Sequence, residues 1–280
     1  MVPGKPFTVA LRMQHDPHWH SYWIAPGTGY PTSLAWTLPE GFKAGDIQWP
    51  TPHVVQDTSG KITGNGYVGE VLLLVEITPP ATLAAGSEVK LQAAAEWLMC
   101  KDVCMPGDAK LTLTLPVVAA GMEKPDARWT KAFTEAHAQL PKANTGWNVS
   151  AMHTATTATL RLTPKSGTPH QPADLHFFAA DGFTDYAQKP VVRAENGGWV
   201  LELPLDAAAD QNTARLTGVL ASSNGWQAGS DYAGLVIDAP FASGAAISSG
   251  PAPGTKSPIP ISQPQTASGS LLGTLALAFV

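Results

Sequence analysis

Charged side chains are scarce in this 280-residue chain, where Asp, Glu, Lys and Arg make up 14% of the residues against about 25% in an average globular protein. The net charge is −5, which argues against the clustered lysines and arginines of a nucleic-acid-binding surface. Helix-favouring charged runs are also few. What is present instead is Gly (26 residues) and Pro (25 residues), and short segments punctuated by these residues are typical of all-β sandwiches.

Alternating apolar residues predict strands on both sides of a single helix. Residues 1–120 contain several such segments, most clearly the one that carries Val89, Leu91, Ala93, Ala95 and Trp97 on one face. Residues 126–140 have apolar residues at helical spacing and end at a proline. From residue 147 onward strand patterns return, with a hairpin signal at 195–198. We therefore predict an all-β chain of two immunoglobulin-like β-sandwich domains, 1–120 and 147–240, joined by a short helical linker within 121–146.

The C-terminal part has a different composition. Residues 241–268 are rich in Gly, Ala, Ser and Pro, which predicts a flexible linker. An apolar run then begins at Leu271 and continues to Val280. It is shorter than the about 20 residues that cross a bilayer, and we interpret residues 269–280 as the start of a truncated transmembrane helix, with a short docking helix as the alternative.

The two cysteines, Cys100 and Cys104, lie close together in a loop or strand end between two predicted strands. A structural disulfide across so short a loop would stabilise the fold by only about 2 kcal/mol. Thiol–disulfide exchange instead requires two thiols that can bridge and one accessible sulfur. The spacing is Cys-x-x-x-Cys in an all-β context, so the pair is not a thioredoxin active site. Lys101 favours a thiolate, whereas Asp102 and Glu96 oppose one.

A metal site is the third interpretation of the cysteine region. Two thiolates alone do not complete a tetrahedral zinc site. The further candidate ligands are His15, His18 and His20, with Met13 and Met99 as soft ligands for Cu(I). Alternate residues of a strand share a face, so His18 and His20 also fit an ordinary solvated or hydrogen-bonded strand face.

Beyond its chemistry, the block 96–107 (EWLMCKDVCMPG) resembles the N-terminal periplasmic region of the DsbD family of thiol:disulfide interchange proteins, nearest to its ScsB-like branch. The resemblance extends over about residues 5–240 and is weaker in the second domain. Supporting blocks are HWHSYW at 18–23 followed by PG at 26–27, WTLPEGF at 36–42, IQWP at 47–50, GYVGEV at 66–71, GW at 225–226 and IDAP at 237–240.

This resemblance implies a periplasmic domain of an inner-membrane reductase that works without a cofactor or a metal. Its electron donor would be a thioredoxin-like domain of the same protein, and its acceptors periplasmic thioredoxin-fold oxidoreductases. The family is also associated with cytochrome c biogenesis, and ScsB-like proteins with copper tolerance. The chain departs from the better-known branch, which has one sandwich and a wider cysteine spacing, so that branch's partners do not carry over. A non-catalytic binding or adaptor module with a structural disulfide, or a copper-binding module, remains an alternative.

Within this scheme the catalytic residues are Cys100 and Cys104, with Cys104 favoured as the attacking thiol because it sits beside the turn at 106–107. In the family a loop covers the sulfurs. The candidate here is the glycine-rich segment 63–69, which contains Asn65 and the lid side chain Tyr67. Other residues proposed for the environment of the thiols are Glu70 and Glu96 as proton partners, and Trp97, which is expected to belong to the core.

Overall fold

A computed structural model describes residues 1–144, 146–165, 171–226, 234–242 and 276–279. Strands dominate this part of the chain, and they form two β-sandwiches with one helix between them. The all-β prediction is therefore confirmed. Within the described residues, no helix is long and apolar enough to cross a membrane.

The first sandwich consists of two sheets. One has the order β18-β1-β7-β4, where β18 is Ala276–Phe279, and the other is six-stranded with the order β3-β8-β2-β6-β5, to which β9 is added by pairing with β8 along its whole length. Apolar side chains from the facing sides of the two sheets form its core. Its strands are β1 (Phe7–Gln14), β2 (His20–Tyr22), β3 (Ser33–Thr37), β4 (Lys43–Gln48), β5 (His53–Gln56), β6 (Ile62–Val68), β7 (Glu70–Thr78), β8 (Glu88–Cys100) and β9 (Cys104–Pro116).

Strand β8 shows how the sequence pattern produces this core. Its alternating residues from Val89 to Trp97 are buried, as predicted, because a strand places every second side chain on the same face. The apolar run at 68–77, in contrast, is not a single strand. Gly69 adopts a positive φ of 66° between β6 and β7, a conformation that glycine accepts without steric cost. The chain passes there from one sheet to the other.

The helix α1 (Thr130–Gln139) follows the first sandwich, in the region where it was predicted. Phe133 and Ala136 are its buried residues. They pack against Ala10, Leu72 and Leu74, the side chains of β1 and β7 that point away from the sandwich interior. The helix therefore covers the outer face of this sheet.

The second sandwich is built from two four-stranded sheets with the orders β10-β17-β16-β13 and β11-β12-β15-β14. Asn196 and Gly197 both have positive φ and form the tight turn of the predicted β14–β15 hairpin. The strands are β10 (Lys142–Ala143), β11 (Trp147–His153), β12 (Thr157–Pro164), β13 (His176–Ala179), β14 (Val191–Glu195), β15 (Gly198–Pro204), β16 (Arg215–Ala221) and β17 (Gly234–Pro240).

The two sandwiches contact each other directly. Phe178 and Val219 of the second sandwich join the core cluster of the first, where the rings of Trp23 and Phe178 lie 6.2 Å apart in an edge-to-face arrangement. Tyr186 fills the space beside Gly27, at which a Cβ atom would lie 2.3 Å from the tyrosine ring. The segment after β2 is thus held from the side of the second sandwich.

Two described segments can be compared with the predictions for the C-terminal part of the chain. Phe241 and Ala242, where the linker was expected to begin, still contact Ala151 of the second sandwich. Ala276–Phe279 form strand β18, which pairs antiparallel with β1, so these four residues are not the predicted start of a helix. An edge strand with unpaired backbone groups accepts such a partner readily. Residues 243–275 and 280, which carry the rest of both predictions, lie outside the described residues.

Candidate redox site

The cysteine pair closes the β8–β9 hairpin. Cys100 is the last residue of β8 and Cys104 the first of β9, and the two are directly opposed in the ladder with their Cα atoms 4.1 Å apart. They form a disulfide. Only Lys101, Asp102 and Val103 connect them, and the amide of Lys101 donates a hydrogen bond to the Val103 carbonyl at 3.1 Å. The expectation that this spacing allows a bridge is met.

The two cysteines differ sharply in their exposure to solvent. Cys100 is 3% exposed and packs with Tyr22, Val55 and Leu98 in a small apolar cluster. Cys104 is exposed on the other side of the loop. Nucleophilic exchange requires access to one sulfur, and Cys104 is the residue that offers it.

The site lies on the face of the six-stranded sheet that points away from the sandwich core. Cys100 and Leu98 share this face, while Trp97 points inward. His20 on β2 is directly opposite Cys100 and is 1% exposed. Its ring meets that of Tyr22 edge to face at 5.3 Å. Burial lowers the pKa of His20, and the neighbouring His15 lowers it further, so the imidazole is neutral at neutral pH.

A turn at 57–61, between β5 and β6, reaches the cysteine loop. The backbone amide and the hydroxyl of Thr58 both donate hydrogen bonds to the Asp102 carboxylate. Asp57 shapes the turn by accepting hydrogen bonds from the amides of Ser59 and Lys61 at 2.9 and 3.0 Å. Hydrogen bonding to Ser59 is the main reason why the pKa of Asp57 is lowered. The contact between Thr58 and Asp102 was not predicted from the sequence.

The predicted lid does not match this geometry. Most of the segment 63–69 is strand β6, and Tyr67 is 3% exposed. Its hydroxyl donates a hydrogen bond to the Pro50 carbonyl at 2.8 Å, and its ring packs in the same core cluster as Trp23. Tyr67 therefore points to the sheet face opposite the cysteines and cannot cover their sulfurs.

The other predicted environment residues are distributed over different parts of the fold. Asn65 is buried and holds the segment after β2: its side-chain amide donates to the Ala25 carbonyl at 3.2 Å. Glu70 forms an ion pair with Arg12 and is not brought to the cysteines. Glu96 is exposed on β8, four residues before Cys100.

Trp97 belongs to the core, as expected. Its indole covers Gly107 on β9, where a Cβ atom would lie 2.6 Å from the ring. Substitution of Gly107 would therefore displace this ring and disturb the hairpin close to the cysteines.

The histidines proposed as metal ligands lie in different surroundings. His18 is exposed in the turn before β2, while His15 donates a hydrogen bond through Nδ1 to the Gly69 carbonyl at 2.7 Å. Within the described residues, no group of three or more His, Cys, Asp or Glu side chains is placed to hold a metal ion.

Comparison with known proteins connects this site to one family. Residues 1–116 match the family model described as thiol:disulfide interchange protein DsbD, N-terminal. This match confirms the resemblance inferred from the cysteine block. A similar solved structure is the N-terminal periplasmic domain of ScsB from Proteus mirabilis, with a TM-score of 0.62 and 22% sequence identity over 87% of this chain and 91% of that one. No curated protein sequence matches the chain.

Proposed function

Because residues 1–116 carry the DsbD N-terminal domain, we propose that this chain is a periplasmic electron carrier that passes two electrons to other proteins by thiol–disulfide exchange. The observation that supports this most directly is the asymmetry of the Cys100–Cys104 pair. A disulfide between one buried and one exposed cysteine, at the end of a hairpin, presents a single sulfur to a partner. A disulfide with a purely structural role has no need of such exposure.

The reaction proceeds in two steps. In the reduced protein the Cys104 thiolate attacks one sulfur of the partner's disulfide, and the partner's other sulfur leaves as a thiolate. The mixed disulfide is then resolved by Cys100, whose thiolate attacks the Cys104 sulfur and expels the partner's second thiolate. The partner is reduced by two electrons, and Cys100 and Cys104 end as the disulfide seen in this structure.

The partners in this proposal are thioredoxin-fold proteins. A thioredoxin-like domain of the same inner-membrane protein would reduce the pair, and periplasmic oxidoreductases would accept the electrons. Val103 in the cysteine loop and Val68 on β6 are 64% and 55% exposed. Val103 directly precedes Cys104, and Val68 lies farther across the sheet, opposite His20. Both side chains provide apolar contact area for such a partner.

The turn at 57–61, rather than 63–69, is the segment held against the cysteine loop, next to the exposed Cys104. Thr58 binds the cysteine loop through Asp102, and the contact is exposed, so its loss costs little. Such a contact holds the turn over the loop between encounters and releases it when a partner binds.

Single-cysteine variants test the proposal. Cys104→Ser is expected to abolish the reduction of an oxidised thioredoxin-fold substrate because no exposed thiol remains. Cys100→Ser is expected to accumulate the mixed disulfide, because the resolving thiol is missing, and this species is visible by non-reducing electrophoresis.

Two outcomes would count against exchange. Full reductase activity in both variants would refute it outright. A reduction potential below about −300 mV would also do so, because that range is typical of inert structural disulfides, and it would favour the adaptor alternative.

A further inference from the structure

His20 carries a buried ring nitrogen that has no protein partner in the disulfide form. The side chain is 1% exposed, and Nδ1 makes no hydrogen bond to any described residue. Leaving a buried polar atom unpaired is energetically unfavourable, and such atoms in native proteins call for a physical explanation.

The other ring nitrogen fixes which form of the imidazole is present. Nε2 lies 3.5 Å from the hydroxyl of Thr63. That hydroxyl has one proton, which it donates to the Val55 carbonyl at 3.3 Å. With its proton used in this way, Thr63 accepts from His20, and we assign the imidazole proton to Nε2 and a free lone pair to Nδ1.

The position of His20 brings this lone pair to the cysteine pair. His20 and Cys100 are directly opposed on antiparallel strands, and the Cβ atoms of opposed residues lie about 4.5–5.5 Å apart on the same face of the sheet. Nδ1 and Sγ are two bonds and one bond from their Cβ atoms, so a hydrogen bond between them is within the reach of side-chain rotation. The disulfide has no proton to donate, whereas the thiol of reduced Cys100 has one.

We infer that His20 is the proton acceptor for the resolving thiol, Cys100. This inference rests on the proposed function and assigns one of its steps. Nδ1 takes the proton of Cys100, and the resulting thiolate attacks the Cys104 sulfur of the mixed disulfide. The bond between Cys104 and the partner breaks, and the partner's sulfur leaves with the electron pair. The imidazolium returns the proton to that leaving thiolate, so protons and electrons balance.

The surroundings of His20 agree with this role. The titratable groups near it are His15 before β2, Tyr22 on β2 and Cys100 on β8, while β6 contributes the uncharged Thr63. No carboxylate is paired with the imidazole among the described residues. A neutral imidazole in such surroundings is a base that is ready to accept a proton at neutral pH.

The two thiol steps can be timed separately with the aromatic disulfide dithiobis(nitrobenzoate). Attack by Cys104 on the reagent releases one coloured thionitrobenzoate, and resolution by Cys100 releases the second. His20→Gln is expected to slow the second phase about tenfold or more at pH 7, within the range of general-base effects. The first phase should change by less than about twofold. The defect should shrink as the pH approaches about 8.5–9, where a thiol ionises without help.

His18→Asn is the matched control, because this histidine is exposed two residues away, and both phases should stay unchanged. Thr63→Val keeps the side-chain shape but removes the group that holds Nε2, so it should slow the second phase less than His20→Gln does. An unchanged second phase in folded His20→Gln would overturn the inference, as would a defect that is equal in both phases or independent of pH. If His20→Gln does not fold, Thr63→Val decides: a slower second phase supports the inference, and an unchanged second phase overturns it.

Failure of the proposed function itself would look different. In that case the unmodified protein would release no second thionitrobenzoate and would not reduce a thioredoxin-fold substrate.

Discussion

The two sandwiches share an architecture, but their described residues differ in where buried polar atoms lack a hydrogen-bond partner. In the described part of the chain, buried side-chain atoms without a hydrogen-bond partner lie mainly in the first sandwich, on His15, His20, Ser21, Trp23 and Asn65. In the second sandwich the corresponding atom is the indole nitrogen of Trp199. The second core is otherwise a large cluster of aliphatic and aromatic side chains.

The position of these atoms matters more than their number. His20, Ser21 and Trp23 lie on or directly after β2, the strand between β6 and β8 that contacts Cys100. Proteins retain such unfavourable groups mostly at functional sites, where they are offset by stability elsewhere. We therefore expect the first sandwich to be shaped by chemistry and the second mainly to provide stability. The second also contributes Tyr186, which packs against Gly27.

The largest expected effect is a loss of stability that leaves the thiol chemistry unchanged. Leu160 on β12 is fully buried in the core of the second sandwich, and Leu160→Ala should lower the free energy of unfolding by about 2–5 kcal/mol. Below the unfolding transition, the rates of both thiol steps should match those of the unmodified protein. Denaturant unfolding and the chromogenic assay measure the two quantities. Altered thiol rates in the folded variant would show that the second sandwich also controls the chemistry.

A second prediction concerns the loss of stability at low pH, and it also involves a residue of the second sandwich. Burial, together with a smaller effect of the charge of Lys189, lowers the pKa of His176 from its usual 6.5 to about 4. The folded state thus keeps this histidine neutral, while the unfolded chain binds a proton below pH 6.5. Stability is therefore complete above about pH 6.5 and is lost as the pH falls toward 4, by at most about 3 kcal/mol from this group.

Denaturant unfolding across this pH range, with His176→Phe as the comparison, measures the contribution. The variant should lose less stability than the unmodified protein between pH 6.5 and 4. Equal losses in both proteins would show that His176 does not carry the effect. The pKa values of His15 and His20 in the first sandwich are also lowered by burial, and their contributions remain in both proteins.

Sequence patterns predicted the elements with regular alternation but not the face on which the short strands place their side chains. Cys100, Cys104 and the core position of Trp97 followed from local spacing alone. The lid did not, because glycines in 63–69 were taken as a sign of a loop, whereas Gly64 and Gly66 make room in β6 for neighbouring backbone. A Cβ atom on Gly66 would lie 1.9 Å from the Ser21 carbonyl oxygen. The pairing of Thr58 with Asp102 joins residues 44 positions apart, and no local pattern reports such a contact.

The smallest expected effect tests the reassignment of the lid by a matched pair of variants. Thr58→Val removes the hydroxyl that binds Asp102. It should raise the oxidation rate of the reduced thiols about two- to tenfold, as the loss of a ~0.5–1.5 kcal/mol hydrogen bond allows. Tyr67→Phe removes a buried hydrogen bond to Pro50 and should cost about 1 kcal/mol of stability with no change in that rate. Thiol oxidation by peroxide, followed together with thermal unfolding, measures both. A side chain that only fills the core cannot shield sulfurs on the other face of the sheet. Faster oxidation in Tyr67→Phe alone would therefore show that Tyr67 does shield them, and that the lid lies on β6 as first predicted.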